Sequence, residues 1–157
     1  MSLNPPMTLS PLGEAWTKHC EGLCLTPYPD NGKCSAGWGH WGAPCGVEIT
    51  ESQAEAWWEE DKARVELAIN DQVEVDLAQC QFDALFDFAY NEGTGAFASS
   101  TLLRELNEGN KVDVPAQLRR WVYAGGRVNS GLEARREGEI VLWSGGNPLA
   151  TSPAPSS

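Results

Sequence analysis

The sequence lacks an excess of basic residues. Its 157 residues include 11 Lys and Arg against 22 Asp and Glu, so the formal net charge is −11 at pH 7. Proteins that bind nucleic acids or lie on anionic membrane surfaces usually present basic patches. The composition therefore argues against both classes, and we expect no nucleic-acid partner.

Long apolar runs and a secretory signal are also missing. No apolar run approaches the roughly 20 residues of a membrane-spanning helix, and residues 1–10 have neither a basic region nor an apolar core. Internal repeats and sustained heptads are absent as well. We therefore expect no membrane insertion, and a monomeric globular domain that is made in the cytoplasm without a signal peptide.

Cysteines are few and odd in number: Cys20, Cys24, Cys34, Cys45 and Cys80. For a chain without a signal peptide, the default expectation is reduced thiols. Four of them lie near two histidines, but no Cys-x-x-Cys pair supports a zinc site, so we expect no metal and no cofactor. A disulfide formed after export is an alternative, for example Cys34–Cys45, although the sequence does not determine the pairing.

Helix signals dominate the sequence, with one turn-rich segment near its start. Ser10-Pro11 predicts the beginning of a helix that runs to about Leu23. Asn31-Gly32 predicts the turn of a β-hairpin. Thr50-Glu51-Ser52-Gln53 forms a capping box before an apolar stripe with helical period. This order predicts an α+β protein with a small β-hairpin lobe, a long linking helix and a larger helical lobe.

Further helices are predicted in the second half of the chain. A nearly all-round apolar helix begins near Ala78 and ends at Gly93, and three more helices follow. Ser99-Ser100 is predicted to cap the first of them, and the capping box Ser130-Gly131-Leu132-Glu133 is predicted to open the last, which runs to about Trp143. The predicted helix through Leu118 and Trp121 ends at Gly125-Gly126. The predicted boundaries are an N-terminal tail at 1–10, a domain at 11–145 and a flexible tail at 146–157. Within the domain, we predict a small lobe at about 11–50, a linking helix at about 51–70 and a helical lobe at about 77–145.

Two carboxylates lie close together in the turn-rich part of the sequence. Glu21 is near the predicted end of the first helix, and Asp30 follows nine residues later, before the hydroxyl of Ser35. Cleavage of a glycosidic bond needs one carboxyl as general acid and a second, ionised carboxylate to activate water or stabilise the cation. By spacing alone the signal is weak, because 22 acidic residues offer many such pairs and surface carboxylates are the usual interpretation.

The residues around this pair are more specific. Glu21-Gly22-x-x-Leu25-x-x-Tyr28-x-Asp30, followed by Ser35-x-Gly37-x-Gly39-His40, resembles the phage-type lysozymes, the muramidases of glycoside hydrolase family 24. That family has Glu-Gly-x-x-Leu-x-x-Tyr-x-Asp and then Thr-x-Gly-x-Gly-His. The resemblance continues through 81–85, 88–97, 99–103, 120–126 and 131–139. It covers roughly residues 12–144 and implies a mostly helical, lysozyme-like fold.

The resemblance implies cleavage of the β-1,4 bond between N-acetylmuramic acid and N-acetylglucosamine in peptidoglycan, with inversion. Glu21 would be the general acid and Asp30 the second carboxylate. Ser35 stands where the family has Thr and would hold the attacking water, after a turn about one residue shorter than the commonest form. The positions at which the family lines its substrate cleft are occupied by Tyr90, Asn91 and Ser100. Release through a holin-type pore would bring the protein to the periplasm.

Other functions remain open at this point. A lytic transglycosylase can use one Glu and form an anhydro sugar without water, and a catalytically weak module could bind the cell wall only. For His40 the choice is between a catalytic base and a structural histidine bonded to a carboxylate of the neighbouring lobe, and the second is favoured because carboxylates carry the proton chemistry. For Arg136, an ion pair with Glu139 is favoured over a role towards the cleft.

Overall fold

The computed structural model describes residues 5–151 and divides the chain into two compact units. The β unit is Thr17–Arg64, and the helical unit contains the chain up to Trp16 and from Val65 onwards. The boundaries fall inside helix α1 (Pro11–Glu21) and helix α2 (Glu51–Gln72). The start of α1 therefore belongs to the helical unit and α2 contributes to both units, while the predicted domain boundaries stay a prediction.

The β unit contains an antiparallel sheet of three strands in sequence order. These are β1 (Cys24–Asp30), β2 (Lys33–Gly37) and β3 (His40–Ala43). The predicted turn is confirmed, since Asp30 pairs with Lys33 across Asn31-Gly32, and both turn residues have positive φ, 48° and 83°. Two central residues with positive φ match the right-handed strand twist, which explains the preference for Asn-Gly.

A disulfide joins Cys34 of β2 to Cys45, which follows β3, with the Cα atoms 5.5 Å apart. The default expectation of reduced thiols is therefore wrong for this pair, and the alternative pairing is the one observed. Among the described residues, Cys20, Cys24 and Cys80 remain thiols. By loop entropy, closing such a short loop stabilises the folded state by about 3 kcal/mol, since it restricts mainly the unfolded chain.

The helical unit is built around α3 (Gln79–Glu92), whose residues from Phe82 to Ala89 are all buried. The prediction of a central apolar helix that ends at Gly93 is confirmed, and Ser100 caps a later helix as predicted. The α+β class is also confirmed. The remaining α-helices and strands of this unit are α4 (Thr94–Ala98), α5 (Thr101–Asn107), α6 (Val114–Leu118), β4 (Tyr123–Ala124), β5 (Arg127–Val128), α7 (Ser130–Trp143) and α8 (Pro148–Thr151), with a short 3-10 helix at Lys111–Asp113 before α6.

Three details of this region differ from the prediction. Helix α6 ends at Leu118, and Gly125-Gly126 forms the turn of the β4–β5 hairpin. The N-cap of α7 is Asn129, which accepts a hydrogen bond from the Leu132 N–H, so the predicted cap at Ser130 is one residue late. Helix α8 lies where a flexible tail was predicted, and residues 152–157 of that tail are outside the described residues.

The described part of the predicted N-terminal tail is tied to the helical unit. The Met7 N–H donates to Asn70 Oδ1 at 2.9 Å, and Asn70 Nδ2 donates back to the Met7 carbonyl at 2.8 Å. The Leu9 N–H donates to Glu66 Oε2 at 2.7 Å. The segment before α1 therefore has defined partners on α2, which a tail without structure would not have.

Candidate active site

The three predicted catalytic residues all lie in the β unit. Glu21 is the last residue of α1, Asp30 is the last residue of β1, and Ser35 is in the middle of β2. Helix α1 ends there because Gly22 follows with φ 69°, a left-handed conformation that glycine adopts without steric cost. Glu21 and Asp30 are half-buried, whereas Ser35 is fully buried.

Ser35 and Asp30 are joined directly. The Ser35 hydroxyl donates to Asp30 Oδ2 at 2.7 Å, across the two-residue turn that brings β1 and β2 together. A hydrogen bond to an ionised carboxylate is roughly twice as strong as one between neutral groups. A hydroxyl has only one hydrogen, so Ser35 can interact with a water molecule only as an acceptor while this bond is made.

Three residues form a row across the sheet on the face that carries Asp30. Tyr28 is opposite Ser35, and Ser35 is opposite Trp41, and directly opposed side chains share one face. The Trp41 indole N–H donates to the Asp30 main-chain carbonyl at 3.0 Å, so the ring extends from β3 towards the end of β1. Tyr28 and Trp41 are 41% and 52% exposed, and buried Ser35 lies between them.

Tyr28 experiences both carboxylates. Burial raises the pKa of the Tyr28 hydroxyl above its ordinary value, and the charges of Glu21 and then Asp30 raise it further. The phenol therefore keeps its proton and can donate a hydrogen bond beside two acidic groups. The sequence offered one signal for this role, since Tyr28 lies two residues before Asp30 and side chains two apart on a strand share a face.

His40 makes the contacts of a structural histidine, to a carboxylate and to an aromatic ring. Its Nδ1 lies 2.8 Å from Asp61 Oδ2, and its ring stacks on Trp57 with the centroids 4.5 Å apart. The predicted bond to a carboxylate is confirmed, but Asp61 belongs to α2 within the same β unit rather than to the other lobe. The Asp61 side chain is only 13% exposed, so this carboxylate of α2 has a defined partner within the β unit.

The predicted substrate-binding residues are all in the helical unit. Ser100 is 6% exposed and caps α5, because its hydroxyl donates to the Phe97 carbonyl at 2.7 Å and accepts from the Leu103 N–H at 3.0 Å. Asn91 Oδ1 accepts a hydrogen bond from Arg136. The Tyr90 ring stacks on Phe86 at 5.9 Å. Contact of any of the three with a substrate stays a prediction.

A buried charge network lies next to Asn91 in the helical unit. Arg136 is fully buried, and its Nε lies 3.3 Å from Glu139 Oε1, which confirms the predicted ion pair. Arg135 binds Asp87 through two nitrogens at 2.8 and 3.0 Å, a pairing that the sequence analysis missed. Burial raises the pKa of Glu139 well above 4.5, and the charge of Asp87 acts in the same direction.

Residues 5–151 contain neither a candidate metal-binding group nor a candidate membrane-spanning helix. Within them, no group of three or more His, Cys, Asp and Glu side chains is arranged to hold a metal ion. None of the helices in this range is long and apolar enough to cross a membrane.

A Glu at a helix end, followed by a hairpin that carries an Asp–hydroxyl pair, provides the residue types that a two-carboxylate glycosidase site requires. The family model for phage lysozyme matches residues 18–139, and the chain belongs to that family. The sequence is 39% identical to an endolysin of Bacillus phage PZA over 96% of this chain and 60% of the relative. It is 40% identical to a SAR-endolysin of Bacteriophage PS119, over 78% of this chain and 77% of that protein.

Solved structures show the same fold. The muramidase domain of SpmX from Asticaccaulis excentricus has a TM-score of 0.80 and 32% identity, over 87% of this chain and 97% of that one. An endolysin from Escherichia coli O157:H7 phage FAHEc1 has a TM-score of 0.79 and 31% identity, over 90% of this chain and 96% of that one.

The chain spans 60% and 54% of the lengths of two Bacillus phage endolysins, from phages PZA and B103.

Proposed function

We propose that this protein is an endolysin that hydrolyses the β-1,4 bond between N-acetylmuramic acid and N-acetylglucosamine in bacterial peptidoglycan. The observation that carries the proposal is the Asp30–Ser35 hydrogen bond on a hairpin that follows Glu21, in a chain of the phage lysozyme family. The names of similar proteins, endolysin and muramidase domain, support it. The catalytic domain would comprise residues 11–145 and act as a monomer.

In this mechanism Glu21 donates a proton to the leaving glycosidic oxygen, and Asp30 activates a water molecule on the opposite face of the sugar. Ser35 orients the Asp30 carboxylate through its hydroxyl hydrogen and offers the water only its lone pairs. Inversion requires room for that water, so we expect the two carboxyl groups to stand ~6.5–9.5 Å apart. The mechanism needs no metal or cofactor.

The central test is Glu21→Gln, assayed on purified peptidoglycan. Gln keeps the shape of the side chain but has no proton to deliver, so the rate should fall by about 100-fold or more. Glu60→Gln is the matched control, because Glu60 is an exposed carboxylate on α2 in the same unit. A Glu21→Gln variant that retains more than about a tenth of the wild-type rate would contradict the assignment.

Product analysis separates the hydrolase from its alternatives. A hydrolase releases new reducing ends, first as the α-anomer if it inverts, whereas a lytic transglycosylase releases anhydro sugars. A cell-wall-binding module would bind peptidoglycan and release neither product.

We propose that the protein acts on the wall in the periplasm after holin-type release from the cytoplasm.

A further inference from the structure

Gly39 lies directly beside the carboxyl group of Glu21. It occupies the turn between β2 and β3 with φ +78°. A Cβ atom built on Gly39 would be 2.6 Å from Glu21 Oε1 and 3.4 Å from Glu21 Cδ. Non-bonded heavy atoms pack at about 3.5–4.0 Å, so the carboxyl group fills the space that any side chain at position 39 would need.

From this contact we propose that Gly39 is a positioning residue for Glu21, and the proposal rests on the proposed function of Glu21 as general acid. The bare main chain of the turn is one wall of the site that holds the carboxyl group. The positive φ at this position already favours glycine through backbone geometry alone. The contact with Oε1 adds a second requirement, which is space for the acid itself.

Neighbouring glycines separate these two requirements. Gly42 in β3 also has a positive φ, +97°, but a Cβ atom added there would meet no heavy atom within 4 Å beyond its chain neighbours. Alanine at position 42 therefore meets only the backbone cost of a positive φ. Alanine at position 39 meets that cost and also the Glu21 carboxyl group, so the difference between the two variants isolates the contact.

Position 39 contacts the end of the flexible Glu21 side chain, so a substitution there should change activity more than stability. The Glu21 carboxyl group can rotate away from a new methyl group without moving the turn. We therefore expect Gly39→Ala to lose little stability beyond the loss in Gly42→Ala. It should lose activity, because a displacement of about 1 Å in a catalytic group can cost about 100-fold in rate.

The experiment compares Gly39→Ala and Gly42→Ala by thermal unfolding and by steady-state kinetics on soluble peptidoglycan fragments. We expect equal unfolding temperatures, a kcat about 10- to 100-fold lower for Gly39→Ala than for Gly42→Ala, and similar KM values. Equal kcat values, or a drop in kcat that is matched by a lower unfolding temperature, would overturn the proposal.

A double-mutant cycle with Glu21→Asp tests the route of the effect. If Gly39 acts through Glu21, Glu21→Asp should cost several-fold less in kcat in the Gly39→Ala background than in the wild type, because the carboxyl group is already displaced. Multiplicative losses would show independent roles and overturn the proposal. Should Glu21→Gln alone retain activity, the assignment of Glu21 fails; an inactive Glu21→Gln with an active Gly39→Ala rejects only the role of Gly39.

Discussion

Ser35 donates its single hydroxyl hydrogen to Asp30, so it has no hydrogen left to donate to a water molecule. A group that donates to the carboxylate and is fully buried fixes the direction in which Asp30 presents its second oxygen. In the proposed mechanism, holding the water molecule is then the task of Asp30 more than of Ser35. The family's Thr can make the same bond, since it has the same hydroxyl.

Ser35→Ala tests this role. Loss of a hydrogen bond to a charged group costs about 1.5–3 kcal/mol. If that loss is felt in the transition state, kcat should fall by roughly 10- to 100-fold. Ser35→Thr is the control because it keeps the hydroxyl, and its kcat should stay near or above the wild-type value. Similar kcat values for wild type and Ser35→Ala, measured on peptidoglycan, would show that the hydroxyl does not assist Asp30.

The proposed catalytic residues could be selected only through the family pattern, because a Glu and an Asp nine residues apart carry little information by themselves. The contacts that surround them were not predictable. Trp41 pairs with Ser35 one step beyond the Ala36–His40 pair, and the register shifts only between Cys34 and Ser35, where no local sequence signal specifies the irregularity. Asp61 has the same sequence context as its exposed acidic neighbours, and only the fold selects it to bind His40.

Among the elements, helix α7 packs against α1 through a glycine. A Cβ on Gly138 would overlap Cζ2 and Cη2 of the Trp16 ring and would lie 2.9 Å from its Cε2. Trp16 is 6% exposed, and its indole N–H donates to Asp87 Oδ2 at 3.2 Å. Residue 138 must therefore lack a side chain for Trp16 to occupy its observed position.

Gly138→Ala should destabilise the protein by about 1–3 kcal/mol, because overpacking forces a large buried ring out of place. Gly95→Ala is the matched control, since Gly95 is also a helical glycine of this unit but an added Cβ there would meet nothing within 4 Å. Alanine there should be neutral or stabilising by up to about 1 kcal/mol through helix propensity. Denaturant unfolding of both variants measures the contrast, and equal free energies of unfolding would contradict it.

The turns and helix ends that were predicted correctly depend on residues close together in the sequence. The Asn31-Gly32 turn, the Ser100 cap and the end of α3 at Gly93 are confirmed because each depends on residues within one turn of chain. Gly125-Gly126 was predicted to end a helix, yet paired glycines equally favour a two-residue hairpin turn, and the observed φ values are 58° and 79°. The choice between these outcomes depends on strand pairing beyond the glycines.

At the scale of the whole molecule, an acidic chain buries charges in its helical unit. Glu139 is fully buried, and burial raises its pKa well above the ordinary 4.5. Its contribution to folding is therefore fully present below the pKa of the unfolded chain. It is lost as pH rises towards and through the raised pKa of the folded state, because the unfolded chain releases this proton first.

Glu139→Gln should remove this part of the pH dependence, so its stability relative to the wild type should increase as pH rises above about 4.5. Urea unfolding between pH 4 and 8 measures the trend. Glu137→Gln is the control on the same helix, because Glu137 is exposed and its pKa is lowered by the hydrogen bond from Arg119. A stability difference between Glu139→Gln and wild type that is independent of pH would contradict the expectation.

The short turn between Asp30 and Ser35 limits the insertions and deletions that this hairpin can accumulate over generations. One residue gained or lost between the two positions reverses the face on which Ser35 projects, because strand side chains alternate. Such a change preserves the pair only if a second irregularity nearby restores the alternation, as a bulge does. In lineages related to this protein, changes of loop length here should therefore be inherited together with a compensating change in the adjoining strands.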